Sequence, residues 1–174
     1  MELTVQIIDL SKVRYVLCDY DDTVCIHQHV GVKRPTHYQY VQCCEEDVEN
    51  YYTEIIPCVP NKALKWFFET YLHNVKSKDI LTWSSYPGLV EARHQFLRKH
   101  YPNQFSDVYK VKAREFKYSF VAKYMRSWKI KPQEILYIDD HPDTLDEISN
   151  LGVQVLSTSE IDSMYIEHLL NMCS

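Results

Sequence analysis

Apolar positions along this chain recur at two different spacings, and each spacing marks a different element. The run 13–18, rich in valine and leucine, stops at the acidic cluster Asp19-Tyr20-Asp21-Asp22-Thr23, which is too polar to prolong a buried strand. A strand there delivers carboxylates to its C-terminal edge. From 61 to 75, Leu64, Phe67, Phe68, Tyr71, Leu72 and Val75 return at the three- and four-residue steps of one helix face, with Pro60 at the entry. Ile80-Leu81-Thr82-Trp83 is a second apolar run. Ser84-Ser85-Tyr86-Pro87 then reads as a loop and cap leading into a helix over 88–100, with Leu89, Phe96 and Leu97 inward. A short strand is predicted over 108–111. A helix follows over 118–128, with Phe120, Val121, Tyr124, Met125 and Trp128 on one face, and it stops before Lys131-Pro132. The last third repeats the pattern: Ile135-Leu136-Tyr137-Ile138 ends in Asp139-Asp140, a helix spans about 142–151 with Gly152 as its cap, a strand spans 153–156, and a final helix runs from Ser159 to Met172.

Strands alternating with helices of ten or more residues build right-handed βαβ units on a parallel sheet, so the fold class is α/β. In open sheets of this kind ligands bind beyond the carboxyl ends of the strands, which is where the polar residues fall. The irregular stretch 24–59, rich in Tyr, Cys and His, suits a hairpin plus a short helix. It is shorter than the ~50 residues of a small independent domain, so it reads as an insertion over the site within one domain spanning 1–174.

The 174 residues are 45% hydrophobic and 25% charged with a net charge of −5, a globular composition that excludes intrinsic disorder. No apolar run of membrane-spanning length and no secretory signal is evident, so a cytoplasmic protein with no membrane partner is expected. The six cysteines then read as reduced thiols. Structural zinc is not expected: no C-x2-C pair occurs, and a closed site would have to be gathered from scattered residues. His27, His29 and His37 read accordingly as surface polar residues. Only three glycines occur, which argues against Walker-type and dinucleotide-type phosphate loops.

The chemistry concentrates at strand ends. Asp19 and Asp21 follow the first strand, Thr82 the second, and Asp139-Asp140 the fourth, while Lys117 stands at a helix start. Three or four packed carboxylates repel unless a cation and a lysine neutralise them, and their oxygens suit Mg²⁺, which usually accompanies a substrate phosphate.

The ordered set resembles the haloacid-dehalogenase-like (HAD) superfamily of aspartyl-nucleophile phosphatases. Its strand-D-x-D-x-T motif is met by Val16 to Thr23, its strand-Thr/Ser motif by Ile80-Leu81-Thr82, its lysine by Lys117, and its acidic pair by Asp139-Asp140. The resemblance implies a Rossmann-like three-layer sandwich with a minimal cap. It implies Asp19 as nucleophile, Asp21 as general acid then base, and Thr82 and Lys117 as holders of phosphoryl oxygens. Mg²⁺ would be held by Asp19, the Asp21 carbonyl and Asp140, with Asp139 accessory. Two departures stand out: many members carry Gly where Asp22 stands, and Asn or Gly near Trp83. Among nearby lysines (Lys110, Lys112, Lys123), Lys112 is the alternative to Lys117, which is preferred because its 22-residue interval to Asp139 is similar to that of the capless magnesium-dependent phosphatase subgroup. A response-regulator receiver domain uses similar residues but places its lysine last, so it is disfavoured.

Members of that superfamily without a sizeable cap tend to accept larger phosphoesters, so the resemblance implies a phosphorylated substrate, including a macromolecule or nucleic-acid end. The stretch 110–131 carries eight Lys+Arg against one acid, Glu115, while Glu45, Glu46, Asp47, Glu49 and Glu54 cluster in the insertion. The basic stripe suits a polyanion, although one solvated helix face explains it as well. Tyr38, Tyr40, Tyr51 and Tyr52 suit either base stacking or packing. A phosphomonoester hydrolase is the leading reading, with phosphotransfer to another acceptor and a non-catalytic binding module as alternatives.

Overall fold

The computed structural model describes residues 8–27, 58–83 and 87–173. Five parallel strands form the sheet: β1 (Tyr15–Cys18), β4 (Ser77–Trp83), β5 (Val108–Val111), β6 (Ile135–Asp139) and β7 (Gln154–Ser157), in the order β5-β4-β1-β6-β7. Five helices connect or follow them: α1 (Lys62–Tyr71), α2 (Pro87–His100), α3 (Phe116–Trp128), α4 (Pro142–Ser149) and α5 (Thr158–Met172). The chain leaves β1 in one direction to β4 and β5, then crosses back through α3 to β6 and β7 on the other side. The strand order therefore reverses at the C-terminal end of β1, where such sheets open a ligand crevice.

Why these segments pair is visible in their burial. Val16, Leu17 and Cys18 are wholly buried, as are Ile135 to Ile138, because both sheet faces are covered and alternate residues serve opposite cores. Val16, Cys18, Ile80, Leu136 and Ile138 pack under α1, α2 and α5 through Phe67, Phe68, Phe96 and Ile161. Leu17, Leu81, Ile135 and Tyr137 pack under α3 and α4 through Val121, Tyr124, Leu145 and Ile148. The result is the three-layer α/β sandwich expected from the sequence.

Several boundaries differ from expectation for local reasons. Pro60 does not open a helix. It ends β3 (Cys58–Pro60), which pairs antiparallel with β2 (Cys25–His27), and Asn61 caps α1 by accepting from the Leu64 amide at 3.0 Å. The stretch 24–59 thus begins and ends in a two-stranded ribbon, while the short helix expected within it lies outside the described residues. Trp128 is 66% exposed rather than inward, since it is the last residue of α3 and overhangs the core beside Lys129, which ends the helix in the left-handed region at φ 54°. Gly152, at φ +76°, does reverse the chain between α4 and β7.

At the far end of the sheet Asp79 is also buried. It accepts from Ser77 Oγ (2.7 Å), Tyr124 Oη (2.9 Å) and the Asp107 amide (3.1 Å), tying α3 and β5 to β4. Burial raises its carboxyl, and this acid is structural. No helix among the described residues is long and apolar enough to cross a membrane.

Candidate active site

β1 pairs Cys18 with Ile80 on one side and Ile138 on the other, and the Asp19 amide still donates to the Ile138 carbonyl at 2.8 Å. Past that point the chain turns. The Tyr20 carbonyl accepts from the Val24 and Cys25 amides (2.9 and 3.0 Å), and Asp22 stands at φ 54°. That left-handed conformation is the physical reason glycine suits the Asp22 position, and aspartate tolerates it better than most residues. Past the turn, Asp21 adds a little repulsion to the burial that raises the Asp19 carboxyl.

Lys117, in the first turn of α3 and 4% exposed, reaches into the switch point from above the sheet. Its Nζ donates to Asp19 Oδ1 at 2.7 Å and to Asp139 Oδ2 at 2.9 Å. Asp139 is further held by Tyr137 Oη at 2.7 Å and by the His141 amide at 2.9 Å. Three donors therefore hold Asp139 in place, which fits a carboxylate that positions Lys117. Burial pushes the Asp19 carboxyl up to about 7, against the pull of Lys117 and with added repulsion from Asp139 and Asp21. For Lys117 burial acts downward, yet Asp19 and Asp139 hold it above its ordinary value. Lys112, by contrast, is exposed, and its carbonyl accepts from Trp83 Nε1 at 2.8 Å.

Oxygens of Asp19, Asp139 and Asp140 lie within 4.8 Å of one another. Hard carboxylate donors gathered around a single ammonium suit Mg²⁺. Asp140 is exposed at the mouth of the cluster, and partial desolvation together with Asp139 raises its carboxyl. Thr82 is buried at the neighbouring strand end, where its hydroxyl donates to the Trp83 carbonyl at 3.5 Å. Among the described residues no hydrogen bond is recorded between Thr82 and Asp19 or Lys117. The structure thus brings Asp19, Lys117, Asp139 and Asp140 into one cluster, while Asp21 is held by Arg93 and Thr82 stands near the end of the adjacent strand β4.

Two features escaped the sequence reading. Arg93 of α2 is 1% exposed. It donates to Asp21 Oδ2 and to the Trp83 carbonyl (3.1 Å), and its guanidinium lies 5.0 Å from the centre of the Tyr20 ring. The signal was present, because Arg93 shares a helix face with Phe96 and Leu97, one turn on. Arg93 fixes the Asp21 rotamer and acts as a positioning residue. In the reaction proposed below, Arg93→Met is expected to lower kcat about 10²-fold with little change in KM, with partial rescue by Arg93→Lys. Steady-state kinetics of both variants check this, since a merely structural role would lower the folded fraction without that rescue.

The second is His27, whose side chain is 6% exposed rather than a surface group. Its Nδ1 lies 3.0 Å from Asp22 Oδ1, and its Nε2 lies 3.5 Å from Asp21 Oδ1. Burial opposes its charging, but Asp22, Cys58 and Asp21 push it up to about 10. His29, His37, Cys43, Cys44, the insertion tyrosines and the 45–54 acids lie outside the described residues. Cys18, Cys25, Cys58 and Cys173 carry reduced thiols. Of the basic stripe, Lys117 is buried and Lys110, Lys112, Arg114, Lys123, Arg126, Lys129 and Lys131 are exposed.

No family model and no curated protein matches the chain. Solved structures do. A predicted HAD-like family hydrolase from Porphyromonas gingivalis superposes with a TM-score of 0.51 at 14% identity, over 84% of this chain and 91% of that one. A haloacid-dehalogenase-like family hydrolase from Xanthomonas campestris gives 0.54 at 11% identity, over 84% and 82%. The N-terminal part of a Bacteroides fragilis protein, containing a phosphatase domain complexed with Mg, gives 0.55 at 15% identity, over 91% of this chain and 39% of that one.

Proposed function

Because this chain has the fold of the HAD-like hydrolases, we propose that it is a Mg²⁺-dependent phosphomonoester hydrolase working through an aspartyl-phosphate on Asp19. The observation that carries the reading is the Lys117 ammonium bridging Asp19 and Asp139 at the strand-order reversal, with Asp140 alongside. A carboxylate oxygen of Asp19 attacks phosphorus as the bond to the leaving oxygen breaks, and Asp21 gives that oxygen its proton. Water then attacks the phosphorus of the aspartyl-phosphate, Asp21 takes the water's proton, and the Asp19 carboxylate leaves with its electron pair. Inorganic phosphate is the second product. Asp19, Asp140 and the Asp21 carbonyl are the residues to hold Mg²⁺, which supplies charge neutralisation at the phosphoryl oxygens.

Lys117 holds a phosphoryl oxygen while staying anchored on Asp139, and Thr82 donates its hydroxyl to another. The seven exposed cations of 110–131 favour a polyanionic substrate such as a phosphorylated macromolecule or nucleic-acid end. Phosphate release from an aryl phosphate tests the reading: Mg²⁺-dependent turnover that chelation abolishes supports it. A folded protein that binds Mg²⁺ yet turns over neither aryl phosphate nor a phosphometabolite and oligonucleotide panel overturns it. Adding acceptor alcohols and following the phosphorylated product separates hydrolysis from transfer.

A further inference from the structure

At the base of the β2–β3 ribbon, Cys25, His27 and Cys58 bring one sulfur, one imidazole nitrogen and a second sulfur within 4.8 Å of one another. The convergence is a product of strand register. Cys25 and His27 are two apart on β2 and so share a face, and Cys58 of β3 stands directly opposite His27. The sequence hid this set because 30 residues separate His27 from Cys58.

We propose that Cys25, His27 and Cys58 form a binding site for a thiophilic divalent ion of the Zn²⁺ class, distinct from the Asp19–Asp140 carboxylate cluster. Two thiolates and an imidazole are donors Zn²⁺ prefers, whereas Mg²⁺ requires oxygen. In a tetrahedral centre with bonds of about 2.0–2.3 Å, adjacent donors stand ~3.5–3.8 Å apart. A donor set already within 4.8 Å closes to that spacing by side-chain rotation.

His27 carries a second, independent mark of a ligand. Its Nδ1 lies 3.0 Å from Asp22 Oδ1, and Asp22 Oδ1 also accepts the His27 amide at 3.3 Å. A carboxylate on one ring nitrogen fixes the tautomer that presents the other nitrogen to a metal, an arrangement found at most metal-bound histidines. The left-handed turn at Asp22 aims that carboxylate.

Pairing of the two thiols as a disulfide is the competing outcome, and the register disfavours it. Cys25 is opposite Pro60, so Cys25 and Cys58 are diagonal neighbours. Diagonal positions lie about 7–8 Å apart, beyond the ~4.4–6.8 Å that a disulfide spans between Cα atoms. An intervening ion bridges what a sulfur–sulfur bond does not. Binding expels both thiol protons and, from a charged imidazole, the one proton on the nitrogen that meets the ion, while the other ring N–H stays on Asp22; it involves no redox step and leaves a fourth position for water. The ion staples the two ends of the 28–57 segment at a point one side chain from Asp21.

Cobalt titration of the reduced, chelator-stripped full chain tests the site without reference to phosphatase activity. The expected result is one Co²⁺ per chain with a thiolate-to-cobalt charge-transfer band and tetrahedral d–d bands, displaced by Zn²⁺. Cys58→Ser, which leaves Cys25 as the one thiolate, is expected to weaken the sulfur band by about half and to lose at least ~100-fold in affinity, and Asp22→Asn about 10- to 100-fold. Asp19→Asn should keep the spectrum, because its oxygen ligands give no sulfur band. Circular dichroism confirms that each variant is folded, and Cys58→Ser, at a partly exposed position, is preferred over changing buried Cys25. A wild-type spectrum in Cys58→Ser overturns the proposal. So does a Cys25–Cys58 disulfide in the isolated protein together with no cobalt binding after reduction.

Discussion

Asp19→Asn is expected to lower phosphate release by at least ~10⁴-fold, because an amide cannot form the aspartyl-phosphate and the loss of a nucleophile disables the groups that act with it. The same substitution is expected to leave the protein no less stable at pH 8, and its pH profile carries the diagnosis. The Asp19 carboxyl is raised from 3.8 to about 7 by burial. Between those values the unfolded chain has released its proton while the folded chain retains it. The folded state of the metal-free protein therefore loses stability as pH rises through that window. The asparagine variant lacks this term, so its melting temperature should gain on the wild type from pH 4 to pH 7 and then hold a constant lead. Mg²⁺ should reverse the trend, since it binds the ionised form, stabilising the wild type more at pH 8 than at pH 5. Thermal melts of both proteins over that range, with and without Mg²⁺, check each sign. A parallel pair of profiles would remove Asp19 from the centre of the site.

Lys117→Met is expected to be the most destabilising change in the site, at about 3–5 kcal/mol, since it leaves two buried carboxylates facing each other. Lys117 is the cation hydrogen-bonded to both, and Asp139 is almost wholly enclosed. Adding Asp139→Asn to Lys117→Met removes one of the stranded charges. The double variant should therefore be less unstable than the sum of the singles, with a coupling of about 1–3 kcal/mol. Urea denaturation of the four proteins closes the cycle. Activity stays lost in every member lacking Lys117, so stability and turnover separate. Lys112→Met, at an exposed position, should fall within about 0.5 kcal/mol of the wild type.

What the sequence revealed follows from how locally each feature is encoded. The central strands were legible because Val16 to Cys18 and Ile135 to Ile138 are covered on both faces, and an uninterrupted apolar run states that directly. Asp19, Lys117 and Asp139-Asp140 were legible as strand-end and helix-start residues, although only the fold shows Lys117 clamped between two carboxylates. Arg93 was read past because a cation in an amphipathic helix is normally solvated, and its turn toward Asp21 is a tertiary event. Cys25, His27 and Cys58 were discounted for lack of a short ligand spacing, since a ribbon between distant segments leaves no local trace. Pro60 was assigned to a helix entry because proline fits that position as well as it fits the short strand it ends.

The position of β1 also sets an order of events during synthesis. Tyr15 pairs with Ser77 on one side and with Ile135 on the other, 120 residues later in the chain. At ribosomal rates of about 5–20 residues per second, the first strand waits roughly 6–24 s for its second neighbour. Through that interval Val16, Leu17 and Cys18 present an apolar, half-paired strand edge outside the ribosome, the kind of surface that aggregates or recruits a chaperone. The strand that ends at Asp19, made first, is among the last to be completed, so truncated chains ending before β6 should be insoluble.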